Sequence, residues 1–162
     1  MPDEEYDGIV GAAVIAAAGA GPLIVIPFAD PAAVGTIWTT MIYKICRRAG
    51  HNIDRPAASQ LALAVGASAG AYWAGSKVLG NILSKFPLSM APAIGANSLL
   101  NALFTLRLGN AMIDLMEKPQ FDISDWAYIA GFLGDAMKPR PSVSEIQRVS
   151  RLLKRLRGKL AS

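Results

Sequence analysis

The chain alternates between long apolar segments and short stretches that contain proline, glycine or charge. Three segments carry no charged residue and are rich in Gly and Ala: Gly8–Ala29, Pro56–Ser76 and Phe86–Leu106. A helix that crosses a bilayer needs about 20 predominantly apolar residues, so each segment is long enough to span. Gly and Ala also permit the close helix packing of both membrane bundles and protein cores. The pattern alone therefore leaves both environments open.

Helical periodicity and proline punctuation predict the secondary structure. The predicted helices cover Tyr6–Ala20, Pro31–Ala49, Pro56–Lys85, Ile94–Glu117, Asp122–Lys138 and a last helix that opens at Ser142. No strand-type alternation and no hairpin dipeptide accompanies them. The sequence therefore predicts an all-α fold, a compact Gly/Ala-packed bundle of about five helices with an amphipathic, basic C-terminal helix.

The second helix has the clearest boundaries. Asp30 is a suitable N-cap, Pro31 suits the first helical position, and Gly50 suits the end of the helix. Apolar residues recur on one face at helical spacing: Val34, Ile37, Trp38, Met41, Ile42 and Ile45. We expect this face to be buried.

Two later helices carry more charge. Arg107, Asp114 and Glu117 are predicted to make the second half of the fourth helix amphipathic. The short fifth helix has a plausible N-cap at Ser124 or Asp122. It is too short to span a bilayer.

Prolines interrupt two of the charge-free segments. Pro22 and Pro27 lie in the first, and Pro87 and Pro92 lie in the third. Proline removes a helical hydrogen bond and breaks or kinks a helix. We therefore expect a buried or re-entrant hairpin rather than two independent straight spans.

Small residues recur every four positions along the third helix, and we predict that they form a helix-packing ridge. The ridge comprises Ala62, Gly66, Gly70 and Ala74. Small-xxx-small spacing allows two helix backbones to approach closely. The ridge predicts a tight helix–helix contact.

The last helix opens with a capping box, Ser142-Val-Ser-Glu145. One apolar stripe follows it: Val143, Ile146, Val149, Leu153, Leu156 and Leu160. The basic residues lie mostly opposite and form the predicted membrane or partner surface: Arg148, Arg151, Lys154, Arg155, Arg157 and Lys159. This arrangement is typical of an interfacial membrane helix. A partner-docking helix and a tail packed on the body are the alternatives. The preceding Lys138–Pro141 linker favours an attachable arm.

Composition and charge define the surroundings of these helices. Hydrophobic residues form 52% of the 162 positions, charged residues form 17%, and mean hydropathy is +0.34. Residues 1–7 hold four acidic residues, whereas residues 142–162 hold six basic residues and one acidic residue. The chain divides into an acidic tail (1–7), a hydrophobic helical domain (8–138), and a linker with the basic helix (139–162).

Few residues suggest chemistry. Cys46 is the single cysteine and His51 the single histidine, and we interpret them as a small buried hydrophobe and a solvated loop residue. A fourfold acidic set around a proline turn is interpreted as a solvated helix junction: Asp114, Glu117, Asp122 and Asp125. The spacing of this set matches no calcium loop. We predict no catalytic residues, no cofactor and no metal.

Two parts of the chain resemble a family. Ile26-Pro-Phe-Ala-Asp-Pro31 leading into Ile37–Gly50 resembles the start of the hydrophobic domain of unknown function in YcjF-type proteins and some bacterial GTPases. Ala91–Gly95, Asn101–Thr105 and Leu108–Met112 resemble its second half and the similar region of EcsC-like proteins. The resemblance covers about residues 8–117. It implies a membrane-associated protein with no assigned activity.

These observations predict a non-enzymatic, membrane-associated helical module that oligomerises or recruits a protein partner. Anionic lipid and a second copy of the chain are the expected partners. Nucleic acid is disfavoured because no stacking aromatics accompany the basic residues. The expected location is the cytoplasmic membrane, with the cytoplasm as the alternative. The alternatives are a soluble cytoplasmic homo-oligomer and, third, a pore-forming effector.

Overall fold

The computed structural model describes residues 4–19, 31–74 and 96–160 of the chain. Six helices and no strand occur within these ranges, so the predicted all-α class is confirmed. The helices are α1 (Glu4–Gly19), α2 (Pro31–Arg48), α3 (Arg55–Ala74), α4 (Ala96–Met116), α5 (Trp126–Ala136) and α6 (Val143–Leu160). The proline-containing segments 20–30 and 75–95, and with them the predicted hairpin breaks and the Asp30 cap, lie outside the described residues.

Helix α4 is the centre of the bundle. It packs against α1, α2, α5 and α6, and its contact with α1 is the most extensive in the molecule. Every residue from 99 to 109 is buried. A helix that is covered all round has no polar face and hence no clear amphipathic period. This explains why its sequence resembles a membrane-crossing segment.

Helices α2 and α3 form an antiparallel pair around Gly50. Near the loop, the Arg55 guanidinium lies 5.1 Å from the centre of the Tyr43 ring. Gly50 has a φ of 85°, and the amides of Gly50 and His51 donate to the carbonyls of Arg47 and Cys46 at 3.2 and 2.9 Å. This is a Schellman ending. The prediction that the helix stops at Gly50 is confirmed.

The predicted apolar face of α2 is also confirmed. All of its residues are buried except Ile37, which is half-buried and packs against the core. The Trp38 indole N–H donates to Thr105 Oγ1 at 2.8 Å, in the buried contact between α2 and α4. A tryptophan of this size enters a core at lower cost when its one donor is satisfied. Trp38 therefore both fills the core and joins two helices.

Two helix starts differ from the predicted ones because other aspartates cap them. Asp54 accepts from the amide of Ala57 at 2.7 Å, so α3 begins at Arg55. Asp125 caps α5 by accepting from the amide of Tyr128 at 3.0 Å. The predicted caps at Ser124 and Asp122 are wrong. Asp122 instead accepts from the Ser124 amide and hydroxyl in the preceding turn.

Helices α4 and α1 approach closely at Gly109 of α4. A Cβ built there would lie 2.6 Å from Val10 Cγ2 and 3.2 Å from Met41 Sδ. Real side chains do not tolerate the shorter of these distances, so glycine is required where α1, α2 and α4 meet. Gly109 thus sets how closely α1 approaches α4.

Helix α6 differs most from its prediction as an attachable arm. Ile146, Val149 and Leu153 belong to the same core as the other helices, and α6 packs on α1 and α4. The described part of the apolar stripe is therefore covered by the body, except for Val143, which is 65% exposed. The side chains of Leu156 and Leu160 lie outside the described part. Of the alternatives for this helix, packing on the body is the one observed.

Arg107 is the second difference, since it does not belong to a solvated face. The residue is 6% exposed, whereas Asp114 in the last turn of α4 and Glu117, which directly follows the helix, are exposed as predicted. It lies where α4 meets α6 and the linker before it. Its burial is possible because α6 supplies a carboxylate.

Candidate interaction surface

A buried ion pair positions α6. Arg107 Nε donates to Glu145 Oε1 and Arg107 Nη2 donates to Glu145 Oε2, each at 2.9 Å. The remaining Nη1 donates to the carbonyls of Met137, at 3.3 Å, and Pro139. A planar guanidinium with two parallel bonds to a carboxylate is a strong and directional contact. We call this contact the Arg107–Glu145 clamp.

The clamp is completed by the capping box at the start of α6. Glu145 also accepts from the Ser142 amide at 2.7 Å, and Ser142 Oγ accepts from the Glu145 amide at 3.2 Å. The predicted capping box is confirmed. Burial alone would raise the pKa of Glu145, but hydrogen bonds from Arg107 and Ser142 hold that pKa below its ordinary value. Glu145 therefore stays ionised beside Arg107.

The clamp and the buried stripe together turn the basic side of α6 outward. Arg151, Lys154 and Arg155 are exposed. Arg148, Arg151 and Arg155 are three and four positions apart, so they project from one side of the helix. We call these three residues the cationic strip. Lys154 flanks the strip, and the side chains of Arg157 and Lys159 lie outside the described part.

One member of the cationic strip is already paired. Arg148 Nη2 contacts Asp7 Oδ1 in the first turns of α1, and Arg148 Nη1 lies 3.5 Å from Asn110 Oδ1. On the other side of α1, Arg48 at the end of α2 contacts Glu5. The acidic first turn of α1 therefore lies between the end of α2 and the strip. Both charge clusters are visible in the sequence, but their contact is not.

The small-residue ridge of α3 is partly within the described side chains. Ala62 is buried, and a Cβ built on Gly66 would lie 3.7 Å from Trp38 Cζ3, an ordinary contact distance. This part of the ridge faces α2 of the same chain. Gly70 and Ala74 lie farther along α3, where side chains are not described. The tighter contact at Gly109 was missed, although an isolated glycine inside a helical pattern is a signal for it.

The residues considered for chemistry lie apart from the strip. Cys46 is fully buried, and burial raises its pKa to about 12, so the interpretation as a small buried hydrophobe is confirmed. His51 packs edge-on against Phe121 with ring centres 4.8 Å apart. No group of three metal-binding side chains occurs among the described residues.

Two further findings bear on this surface. Within the described ranges, no helix combines the length and apolarity that a membrane crossing needs. A scan of protein-family models, a search of curated proteins and a search of solved structures each return no significant match.

Proposed function

We propose that this protein is a non-enzymatic helical module that associates with the cytoplasmic membrane through α6. The observation that carries the proposal is the outward display of Arg151, Lys154 and Arg155 on a helix whose apolar stripe is packed on the body. Each Lys or Arg near an anionic membrane surface contributes about 1 kcal/mol of attraction. The family resemblance of residues 8–117 points in the same direction.

The packing of α6 defines what kind of membrane contact we propose. An interfacial amphipathic helix inserts its apolar face between lipids. Here Ile146, Val149 and Leu153 are in the core, so the contact is made by charge at the headgroup level. Screening weakens such contacts once ionic strength shortens the Debye length to about 8–10 Å. We therefore expect binding that requires anionic lipid and decreases steeply with salt.

Vesicle sedimentation tests the proposal. The protein is mixed with phosphatidylcholine vesicles, with and without phosphatidylserine, at about 0.01 M and about 0.15 M salt. Replacing Arg151, Lys154 and Arg155 by Gln should weaken binding about a hundredfold at low salt. The matched control replaces three exposed basic residues on the α2–α3 pair by Gln: Lys44, Arg47 and Arg55.

The control variant loses the same charge, so it should weaken binding by much less than the α6 variant. Equal losses in the two variants would show that net charge alone attracts the protein. Binding to neutral vesicles, or no binding to vesicles with binding to duplex DNA, would contradict the proposal.

Self-association is a second candidate, and one observation favours it. An open groove of about 250 Å³ lies between α1 and α2, with exposed Ala12 and Ala16 on one wall, Ile37 and Thr40 on the other, and Lys44 also among its lining residues. Small side chains of this kind permit close approach of another helix. Sedimentation velocity should show a dimer that Ala12→Glu dissociates and Gln60→Glu, on α3, does not. A wild-type monomer at every concentration would contradict this candidate.

A further inference from the structure

The acidic first turn of α1 and the cationic strip of α6 form a contact that bears on lipid binding. Asp7 contacts Arg148, which is one of the three arginines of the strip. The side chains of Arg148 and Asp7 are 33% and 49% exposed, so solvent and solutes reach the pair. The two non-bridging oxygens of a lipid phosphate can accept charged hydrogen bonds from an arginine, as the Asp7 carboxylate does.

We infer that Asp7 is an internal competitor for the anionic headgroup that the strip binds, an inference that rests on the proposed function. With Asp7 in place, the strip offers Arg151 and Arg155, while Arg148 is engaged within the chain. A headgroup that contacts all three must displace the carboxylate. Asp7 therefore lowers the affinity for anionic lipid, and its neutralisation adds a third arginine to the contact surface.

The geometry separates this competition from a general effect of negative charge. Glu4 lies in the same first turn of α1, is exposed, and makes no ion pair with any other residue that the structure describes. Asp7→Asn and Glu4→Gln remove the same charge from nearly the same place. A long-range effect predicts equal gains in affinity for anionic lipid in the two variants, whereas competition predicts a gain in affinity that is specific to Asp7→Asn. Glu4→Gln is thus the matched control.

A double-mutant cycle on the full chain supplies the test, with phosphatidylserine-containing vesicles as the probe. Asp7→Asn should bind about fivefold tighter than Glu4→Gln at low salt, the effect of one freed arginine. Arg148→Gln should have little effect when Asp7 is present. In the Asp7→Asn background it should weaken binding about fivefold. Thermal melting of each variant confirms that the fold is retained.

The outcomes distinguish this inference from the proposed function. If Asp7→Asn and Glu4→Gln bind alike, or if the two substitutions in the cycle are additive, the competition is refuted. Loss of binding on neutralising Arg151, Lys154 and Arg155 would still support the membrane proposal in that case. If that neutralisation leaves binding unchanged, the membrane proposal itself is refuted.

Discussion

Helices α4 and α6 lie side by side, yet they have opposite relations to solvent. Helix α4 is buried on all sides over residues 99–109 and includes polar side chains within the core. Helix α6 buries one stripe and presents cations on the other side. The pairs Arg107–Glu145 and Asn110–Arg148 have the same sequence offset, so the two helices run parallel there.

The difference shows that lack of charge and lack of a helical period can both result from burial among neighbouring helices. Arg107 is the decisive residue, because it is a charge inside the apolar environment of α4 and its counter-ion among the described residues is Glu145 of α6. The central helix α4 therefore depends on the peripheral helix α6 to neutralise its buried charge. The substitutions below change residues of α4, of α6 or of the helices that contact them.

The largest effect is expected from Glu145→Ala. This change leaves the Arg107 guanidinium buried without its counter-ion, and the side chain of Arg107 is only 7% exposed. Breaking a buried pair from one side costs about 3–5 kcal/mol. Urea denaturation should report that loss of unfolding free energy. Gln147→Ala, at an exposed position two residues later, should stay within about 0.5 kcal/mol of wild type.

The same pair predicts a pH dependence. The pKa of Glu145 is lowered in the folded protein, so its contribution to stability is complete above the ordinary carboxyl pKa of 4.5. It is lost as pH decreases through the lower, folded value. Thermal melting of wild type between neutral and acidic pH should therefore show a loss of stability that Glu145→Gln lacks. Parallel pH profiles for the two proteins would contradict this assignment.

Gly109→Ala should have the next largest effect. Its new Cβ would meet Val10 at 2.6 Å, and overpacking of a core typically costs about 1–3 kcal/mol. The higher helix propensity of Ala offsets at most about 1 kcal/mol of that cost. Gly131→Ala in α5 is the control, since nothing lies within 4 Å of a Cβ built there. It should stabilise the protein, and opposite signs for the two variants are the expected result.

A loss of comparable size is expected at the α2–α4 contact. Thr105→Val keeps the shape of the side chain but removes the acceptor of the Trp38 indole N–H. A buried donor without a partner costs about 1–3 kcal/mol. Thr39→Val removes a hydroxyl that donates to the carbonyl of Gly35 in its own helix, and it should cost less. Equal losses in the two variants would show that the hydroxyl, rather than the interhelical bond, determines stability.

The smallest effect on stability is expected at the cationic strip. Exposed ion pairs contribute about 0–1 kcal/mol, so Asp7→Asn should change the midpoint of urea denaturation little. Replacing Arg151 and Arg155 by Gln should also leave stability within about 0.5 kcal/mol. A large loss in either variant would mean that this side of α6 belongs to the folded core in the way that α4 does.

Sequence patterns predicted the features whose causes are local. Gly50 ends α2 and the Ser142–Glu145 capping box opens α6 because each signal acts within about one turn of helix. The buried face of α2 could be predicted because its apolar residues recur at the spacing of a helix that is buried on one side. Arg107, Gly109 and the Asp7–Arg148 contact required knowledge of which helices are neighbours. Their partners are far away in sequence, by 141 residues in the last case.

The Arg107–Glu145 clamp also has a consequence for the order in which the chain folds during synthesis. The carboxylate that neutralises Arg107 is added 38 residues later. At about 5–20 residues per second, that interval lasts about 2–8 s. Until residue 145 has emerged from the ribosome, α4 carries a charge that favours water over the core. The earlier helices can form before then, but the central helix reaches its final burial only when α6 docks.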